Sequence, residues 1–277
     1  MMNVLIAVLV LALLGLILGI MIGYVAKKFA VEGDSRVEEI TALLPGANCG
    51  GCGFAGCADF AKGIIESGAS PTLCAVCSEE ALAKISEVAG LAAGTREKKV
   101  AVVYCSGDNE HAVHIAYYNG LNDCRAAAVL AGGGKGCRFG CIGLGSCARN
   151  CPYGSIEIRN GLSIVHPELC RGCGICVDIC PRKLIRLVPA ESRAHVYCNS
   201  LDKAVIKRKF CSVTCIACRK CVKTSPEHFN AQGFLVRAVD EPGITEEMVK
   251  SIGCPTGALQ TVETHTAGKK EKKGAAA

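Results

Sequence analysis

The sequence predicts an α+β fold: an N-terminal transmembrane helix, a small cysteine-rich 4Fe–4S domain, and then duplicated ferredoxin-like cluster domains. Three observations carry this expectation. An uncharged stretch from Val4 to Ala26 opens the chain, 21 cysteines follow in metal-ligand spacings, and five of them recur at a single offset of 74 residues.

As a helix, the 23 residues of the opening stretch would rise about 35 Å, enough to cross a bilayer core. Lys27 and Lys28 follow at once and nothing basic precedes them. The positive-inside rule then puts the bulk of the chain in the cytoplasm, as a single-pass protein of the cell (inner) membrane. A cleaved signal peptide would need a basic start and a small-residue cleavage site, neither of which is present. Gly15, Gly19 and Gly23 fall on one face, the pattern that lets a neighbouring membrane helix approach.

The expected divisions are 1–27, transmembrane anchor; 28–36, linker; 37–93, N-terminal 4Fe–4S domain; 94–190, ferredoxin-like domain with two clusters; 191–264, degenerate ferredoxin-like domain with one cluster; and 265–277, charged tail.

The clearest motif is Cys170-x2-Cys173-x2-Cys176-x3-Cys180-Pro181. In bacterial ferredoxins the first three thiolates of such a run hold one [4Fe–4S] cluster and the Cys-Pro cysteine crosses to another. Zinc sites usually come as two CxxC or CxxH pairs instead. A disulfide framework fits poorly, because the count is odd and the spacings are those of ligands. Aromatic residues make up 5% of the chain and Trp is absent, so clusters take over much of the usual core, as metals do in small domains.

In the first domain, Val37–Leu44 has helical periodicity, then Cys49-x2-Cys52-x4-Cys57 is followed by Cys74. The glycines between these cysteines free the backbone to wrap a cluster. Cys74 is the fourth ligand, with Cys77 as the alternate. Ser78 is placed to cap the next helix.

The rest reads as a duplication, with Cys124, Cys137, Cys141, Cys147 and Cys180 mapping onto Cys198, Cys211, Cys215, Cys221 and Cys254. In the first unit, Leu144 stands where a middle cysteine belongs, and Cys137 is read as the replacement. One cluster then takes Cys137, Cys141, Cys147 and Cys180, and the other Cys151, Cys170, Cys173 and Cys176, by analogy with two-cluster ferredoxins. In the second unit, Ser225, Ile244, Glu247 and Lys250 stand at the places of a whole ligand set. One cluster remains, on Cys215, Cys218, Cys221 and Cys254, with Cys211 as an alternate. That makes four clusters on sixteen cysteines. Cys77, Cys105, Cys124, Cys198 and Cys211 are read as small buried hydrophobes.

The formal charge is +6, but each oxidised cubane with four thiolates carries about −2. The stretch 182–223 holds eleven bases. Lys207, Arg208 and Lys209 within it are read as a docking face for an acidic protein rather than for nucleic acid. No dinucleotide fingerprint appears, so neither flavin nor NAD is assigned. Nor is any acid, base or nucleophile called for, since the chemistry of such motifs is one-electron transfer.

The membrane segment, CGGCGFAGC with its distant cysteine, and Asp123-Cys124-Arg-Ala-Ala-Ala leading to GGGKGCRFGCIGLGSCARNCP together resemble the membrane-anchored polyferredoxin subunit, the B subunit, of the Rnf complex. The resemblance implies an electron-transfer subunit of an ion-pumping ferredoxin:NAD oxidoreductase, a translocase. It also implies electrons from reduced ferredoxin, and partner subunits that hold the flavins, the NAD site and the ion path. The alternatives are a membrane-tethered polyferredoxin serving a hydrogenase or other dehydrogenase, and an iron–sulfur redox sensor.

Overall fold

Helix α1 (Met2–Lys28) leads the chain. The computed structural model describes residues 2–28, 34–92, 94, 96–239 and 242–267. Most of the expected linker over 28–36 and of the expected tail over 265–277 lies outside these residues. The described side chains of α1, Ile6 and residues 9–25, are exposed, and no atom comes within 4 Å of the Cβ positions of Gly15, Gly19 or Gly23.

Among the described residues no helix is long and apolar enough to cross a membrane. The expected transmembrane anchor over 1–27 is corrected accordingly, and with it the single-pass topology drawn from it. The fold is one of mixed helices and strands.

The next element, α2 (Ser35–Leu43), starts at Asp34, whose carboxylate accepts from Arg36 N. α3 (Cys57–Ser67) stops at Gly68, which takes the left-handed φ of +66° that glycine adopts without strain. A 3-10 turn over Pro71–Leu73 leads to α4 (Glu79–Ala89), where the Ser78 hydroxyl accepts from Ala81 N at 3.2 Å, a serine N-cap. Ile40, Phe60, Ile64 and Ile85 form the core of this part.

Two units of one design follow. The first runs β1 (Lys99–Val103), α5 (Cys124–Val129), α6 (Ser146–Arg149), β2 (Ile156–Arg159), β3 (Leu162–Val165), α7 (Ile175–Ile179) and β4 (Ile185–Pro189). The second runs β5 (Ala194–Val196), α8 (Ala204–Phe210), α9 (Lys220–Thr224), β6 (Phe229–Gln232), β7 (Leu235–Ala238), α10 (Glu246–Ile252), β8 (Leu259–Thr261) and α11 (Val262–Ala267). In each, the outer strands pair antiparallel, β1 with β4 and β5 with β8, and an inner hairpin packs beneath, β2–β3 or β6–β7. The β2–β3 turn is Asn160-Gly161, both at positive φ, as a two-residue turn with right-handed strand twist demands.

Each unit has its own core: Leu162, Ile164, Leu184 and Ile185 in the first, Phe229, Leu235, Ile244 and Ile252 in the second. The position of Ile244 bears on the duplication. It fills the second unit's core with an apolar side chain where the first unit carries Cys170, while Glu247 and Lys250 face solvent on α10.

The units are joined by main-chain bonds between the loop after β1 and residues 210–212: Val113 N to Phe210 O at 2.9 Å and Ser212 N to His111 O at 3.0 Å. His265 of α11 stacks on Tyr197 at 3.7 Å and its Nε2 lies 3.1 Å from Cys105 O.

Phe229, 1% exposed, is the largest wholly buried side chain of the second unit. Truncating such a residue costs about 3–5 kcal/mol. Phe229→Ala should therefore lower the denaturation midpoint of the iron-loaded protein, followed by loss of far-UV signal. An unchanged midpoint would mean that this core does not support the unit.

Candidate iron–sulfur centres

All 21 cysteines are free thiols, and twenty of them form five sets of four, each set around its own cavity. In the first, Cys49, Cys52, Cys57 and Cys74 surround about 370 Å³, open space at its mouth included. The Cys49–Cys57 loop is held by Asn48, whose Oδ1 accepts from Cys57 N at 2.8 Å. Cys77 does not reach this cavity. Its thiol sits beside Cys74, and the hydrogen bond between the two holds the Cys74 thiol below its usual pKa. Arg96 donates to both carbonyls, Cys74 O and Cys77 O.

Cys151, Cys170, Cys173 and Cys176 surround a second cavity of about 290 Å³. Cys170 Sγ accepts from Ala101 N at 3.3 Å, and Cys151 Sγ lies 3.2 Å from Ser155 Oγ. Cys215, Cys218, Cys221 and Cys254 surround about 310 Å³ at the far end of the second unit. Cys218 is the one exposed cysteine of the chain.

Cys141, Cys147 and Cys180 meet around a further cavity of about 400 Å³, and the fourth cysteine there is Cys124, not Cys137. The structure thus brings Cys124 to the other three, where the spacing had pointed to Cys137. Leu144 does leave a gap where the second unit has Cys218, but α5 fills it from its first residue. Asp123 caps α5 and also accepts from Ser146 Oγ at 2.9 Å, and the same hydroxyl accepts from Cys124 N at 2.8 Å. This network fixes Cys124 against the helix that carries Cys147. Cys137 instead lines the fifth cavity, about 390 Å³, with Cys105, Cys198 and Cys211. Three of these four were read from the sequence as packing residues.

The chemistry of the donor sets suits a cubane. Among the described residues no three His, Cys, Asp or Glu side chains converge as ligands of a single metal ion do. The cysteines ring a space rather than a point. Burial pushes the Cys141 and Cys176 thiols up to about 12 and Cys221 up to about 11, in each case reinforced by neighbouring cysteines. Thiols so placed ionise only when a cationic iron core compensates them. N–H and O–H donors aimed at sulfur, as at Cys170, Cys151 and Cys147 (3.2 Å from Ser163 Oγ), stabilise negative charge and tune the potential of a bound cluster.

Nine of the eleven bases in the basic stretch are exposed, Arg208 and Lys209 among them, and Lys207 and Arg182 are the two that turn inward. Lys207 is buried, and its Nζ donates to Cys215 O at 3.0 Å and Phe234 O at 2.6 Å. It has no part in an exposed docking face, contrary to expectation. Arg182 likewise donates to Gly132 O at 3.2 Å. Arg219 and Lys223, by contrast, are exposed next to Cys218.

These features define an iron–sulfur electron-transfer protein. Two family models agree: one described as a putative Fe-S cluster matches residues 44–76, and a 4Fe-4S binding domain matches 163–186. The B subunit of the sodium-translocating ferredoxin:NAD(+) oxidoreductase complex of Acetobacterium woodii is 44% identical over 76% of this chain, the match spanning 64% of that relative. The B subunit of the ion-translocating oxidoreductase complex of Methanosarcina acetivorans is 38% identical over 78% of the chain and 83% of its own length. The counterpart from the proton-translocating complex of Clostridium ljungdahlii is 36% identical over 100% of the chain and 99% of its own length.

The chain belongs to the B-subunit family of these ion-translocating (Rnf) complexes. Its role is electron transfer as a subunit of the ferredoxin:NAD oxidoreductase.

Burial keeps the Cys141 and Cys176 thiols neutral without iron, so iron held by them would have to displace a proton from each, and acid would return it. Resistance of the bound iron to a chelator should rise as pH goes from about 7 to about 9. Retention that is flat over that range would contradict the raised thiol values.

Proposed function

We propose that this chain accepts electrons from reduced ferredoxin and passes them towards partner subunits that carry the flavins and the NAD site. A [4Fe–4S] cluster supplies reversible one-electron uptake, and the cysteine sets suited to hold one are Cys49/Cys52/Cys57/Cys74, Cys151/Cys170/Cys173/Cys176, Cys124/Cys141/Cys147/Cys180 and Cys215/Cys218/Cys221/Cys254. The observation that carries this reading is the contact between neighbouring sets. Cys173 lines both its own cavity and the N-terminal one. There a Cβ on Gly51 would lie 2.5 Å from Cys173 O, so only glycine lets the two cluster loops touch. Cys176 in turn lies within charge range of Cys147, in the next set.

The residues around these cavities bind, insulate and tune. Main-chain amides and the hydroxyls of Ser155 and Ser163 donate towards sulfur, and buried apolar walls keep water from the thiolates. The relatives are named as subunits of ion-translocating complexes, which work across a membrane, so the chain associates with one through its complex. Its cysteine-rich part belongs on the reducing, cytoplasmic side.

Exposed Cys218, with Arg219 and Lys223 beside it, is the electron-entry face in this reading. Complementary charge acts mainly on association rate and is screened over about 8 Å at physiological salt. Reversing Arg219 and Lys223 to Glu should slow reduction by an acidic ferredoxin at low salt and flatten the salt dependence, with iron content unchanged. Stopped-flow rates that match wild type at every salt would remove this face from consideration.

Cys124→Ala should lower bound iron by about four atoms per chain, whereas Cys77→Ala should leave iron unchanged. Iron analysis of the anaerobically purified proteins decides it: unchanged iron in Cys124→Ala would restore the sequence-based partition, and lost iron in Cys77→Ala would put Cys77 among the ligands.

A further inference from the structure

The two units meet at the fifth cavity, and they contribute to it in matching ways. Cys105 follows β1 and Cys198 follows β5. In both cases the preceding tyrosine N–H bonds the residue four places after the Cys-Pro cysteine: Tyr104 N to Leu184 O at 2.9 Å, and Tyr197 N to Ala258 O at 2.7 Å. Both cysteine N–H groups turn back 2.8 Å onto the carbonyl two residues earlier, Val103 O and Val196 O. The other two, Cys137 and Cys211, each open a Cys-x3-Cys motif whose second cysteine, Cys141 or Cys215, belongs to the flanking set. Cys198 is therefore the structural partner of Cys105. The 74-residue offset that pairs it with Cys124 in sequence does not hold in space.

We propose that Cys105, Cys137, Cys198 and Cys211 hold a fifth [4Fe–4S] cluster at the junction of the two ferredoxin-like units, two ligands coming from each.

The competing account is that these are small hydrophobes packed in a core. Packed interiors leave few voids larger than a water molecule, yet the space the four side chains ring leaves about 30 Å³ for the centres of water-sized molecules, more than the roughly 10–15 Å³ that one water needs. A Cβ on Gly107 would sit 3.4 Å from Cys211 Sγ and 3.7 Å from Cys105 Sγ, so a bare backbone borders the cavity beside two sulfurs. The site also has donors suited to thiolates and not to hydrocarbon. Cys141 N donates to Cys105 Sγ at 3.4 Å, and Thr214 Oγ1 lies 3.4 Å from Cys198 Sγ.

Cation charge stands alongside. Lys135, buried, lines the cavity and donates to Gly107 O at 2.9 Å and Gly161 O at 2.6 Å. An ammonium buried next to four thiolates and an iron core offsets their net negative charge. Burial raises the Cys137 and Cys211 thiols, Cys211 to about 12, and each also feels Cys105 and Cys198. The four thus share one electrostatic neighbourhood.

The location has a functional consequence. Cys141 of one flanking set reaches the cavity through its N–H, and Thr214, next to Cys215 of the other, reaches it through its hydroxyl. A cluster there would join the Cys215 set to the rest of the file. This inference rests on the reading of the other sets as cluster sites, but not on ferredoxin as donor.

The test is the number of cubanes on the full-length protein, purified anaerobically and counted by native mass spectrometry and iron analysis. Five cubanes and about twenty irons are expected. Cys198→Ala and Cys105→Ala should each fall to four cubanes, and EPR of the dithionite-reduced variants should keep the signals of the other sets. Cys173→Ala, which removes a ligand of a different set, serves as the comparison. If Cys173→Ala loses a cubane while Cys198→Ala and Cys105→Ala do not, this inference fails and the wider reading stands. If Cys173→Ala loses none, both fail. Where an alanine variant does not fold, the wild-type count still decides: four cubanes, or a zinc ion in place of the fifth, overturns the proposal.

Discussion

Thiolate burial is the constraint from which most of this architecture follows. A cubane asks for four ionised sulfurs within a few ångströms of one another, in a place dry enough to hold an electron. Left to themselves such thiols stay protonated, as the rise of Cys141 and Cys176 to about 12 shows. The fold reconciles these demands by bringing N–H and O–H donors to sulfur and letting the iron core supply the positive charge. That arrangement accounts for the short elements. Helices of four or five residues, such as α6 and α7, are marginal in isolation. Each carries a cysteine of one of the sets, Cys147 or Cys176, and packs against that set's cavity.

The second unit shows the same constraint from the other side. Where a ligand set is missing, the space is taken by Ile244, Ile252 and Phe229, and α10 forms as an ordinary capped helix, with Thr245 accepting from Met248 N. A cluster and an apolar core are thus alternative ways of filling one half of a ferredoxin-like unit. The strand order survives the exchange, since β5–β8 and β6–β7 repeat the pairing of β1–β4 and β2–β3. The remaining set, around Cys218, lies near the surface. Just after Cys218 in the chain Arg219, Lys220 and Lys223 are exposed, whereas Lys207 has turned inward to tie Cys215 O to Phe234 O.

Much of this was legible from spacing, because ligands on one tight loop have to be close in sequence. The Cys49–Cys57, Cys170–Cys176 and Cys215–Cys221 runs each gather around one cavity, and Leu144 stands at the break in the first unit's run. The replacement was not legible, since Cys124 arrives from α5 through a hydrogen-bond network with Asp123 and Ser146 that no spacing encodes. Lys207 misled for a related reason, since charge in a sequence does not say which side chain will turn inward to satisfy carbonyls, while Arg208 and Lys209 stay exposed. The opening segment was read from hydropathy and its flanking lysines, and among the described residues no helix is long and apolar enough to cross a membrane.

The fifth cysteine set escaped a linear reading because its members lie in four separate stretches and in two units. Two signals were nonetheless present: the phrase Val-Tyr-Cys at both Cys105 and Cys198, and Cys-x3-Cys at both Cys137 and Cys211. Each is ordinary alone. Only when the strands place the first pair, and the 210–212 contact with the loop after β1 places the second, do they face one cavity. Duplication can therefore do more than copy a cluster-binding unit. When two copies pack through equivalent loops, the seam between them brings together residues that neither copy uses alone. In this chain those residues are four cysteines that line one cavity, two from each unit.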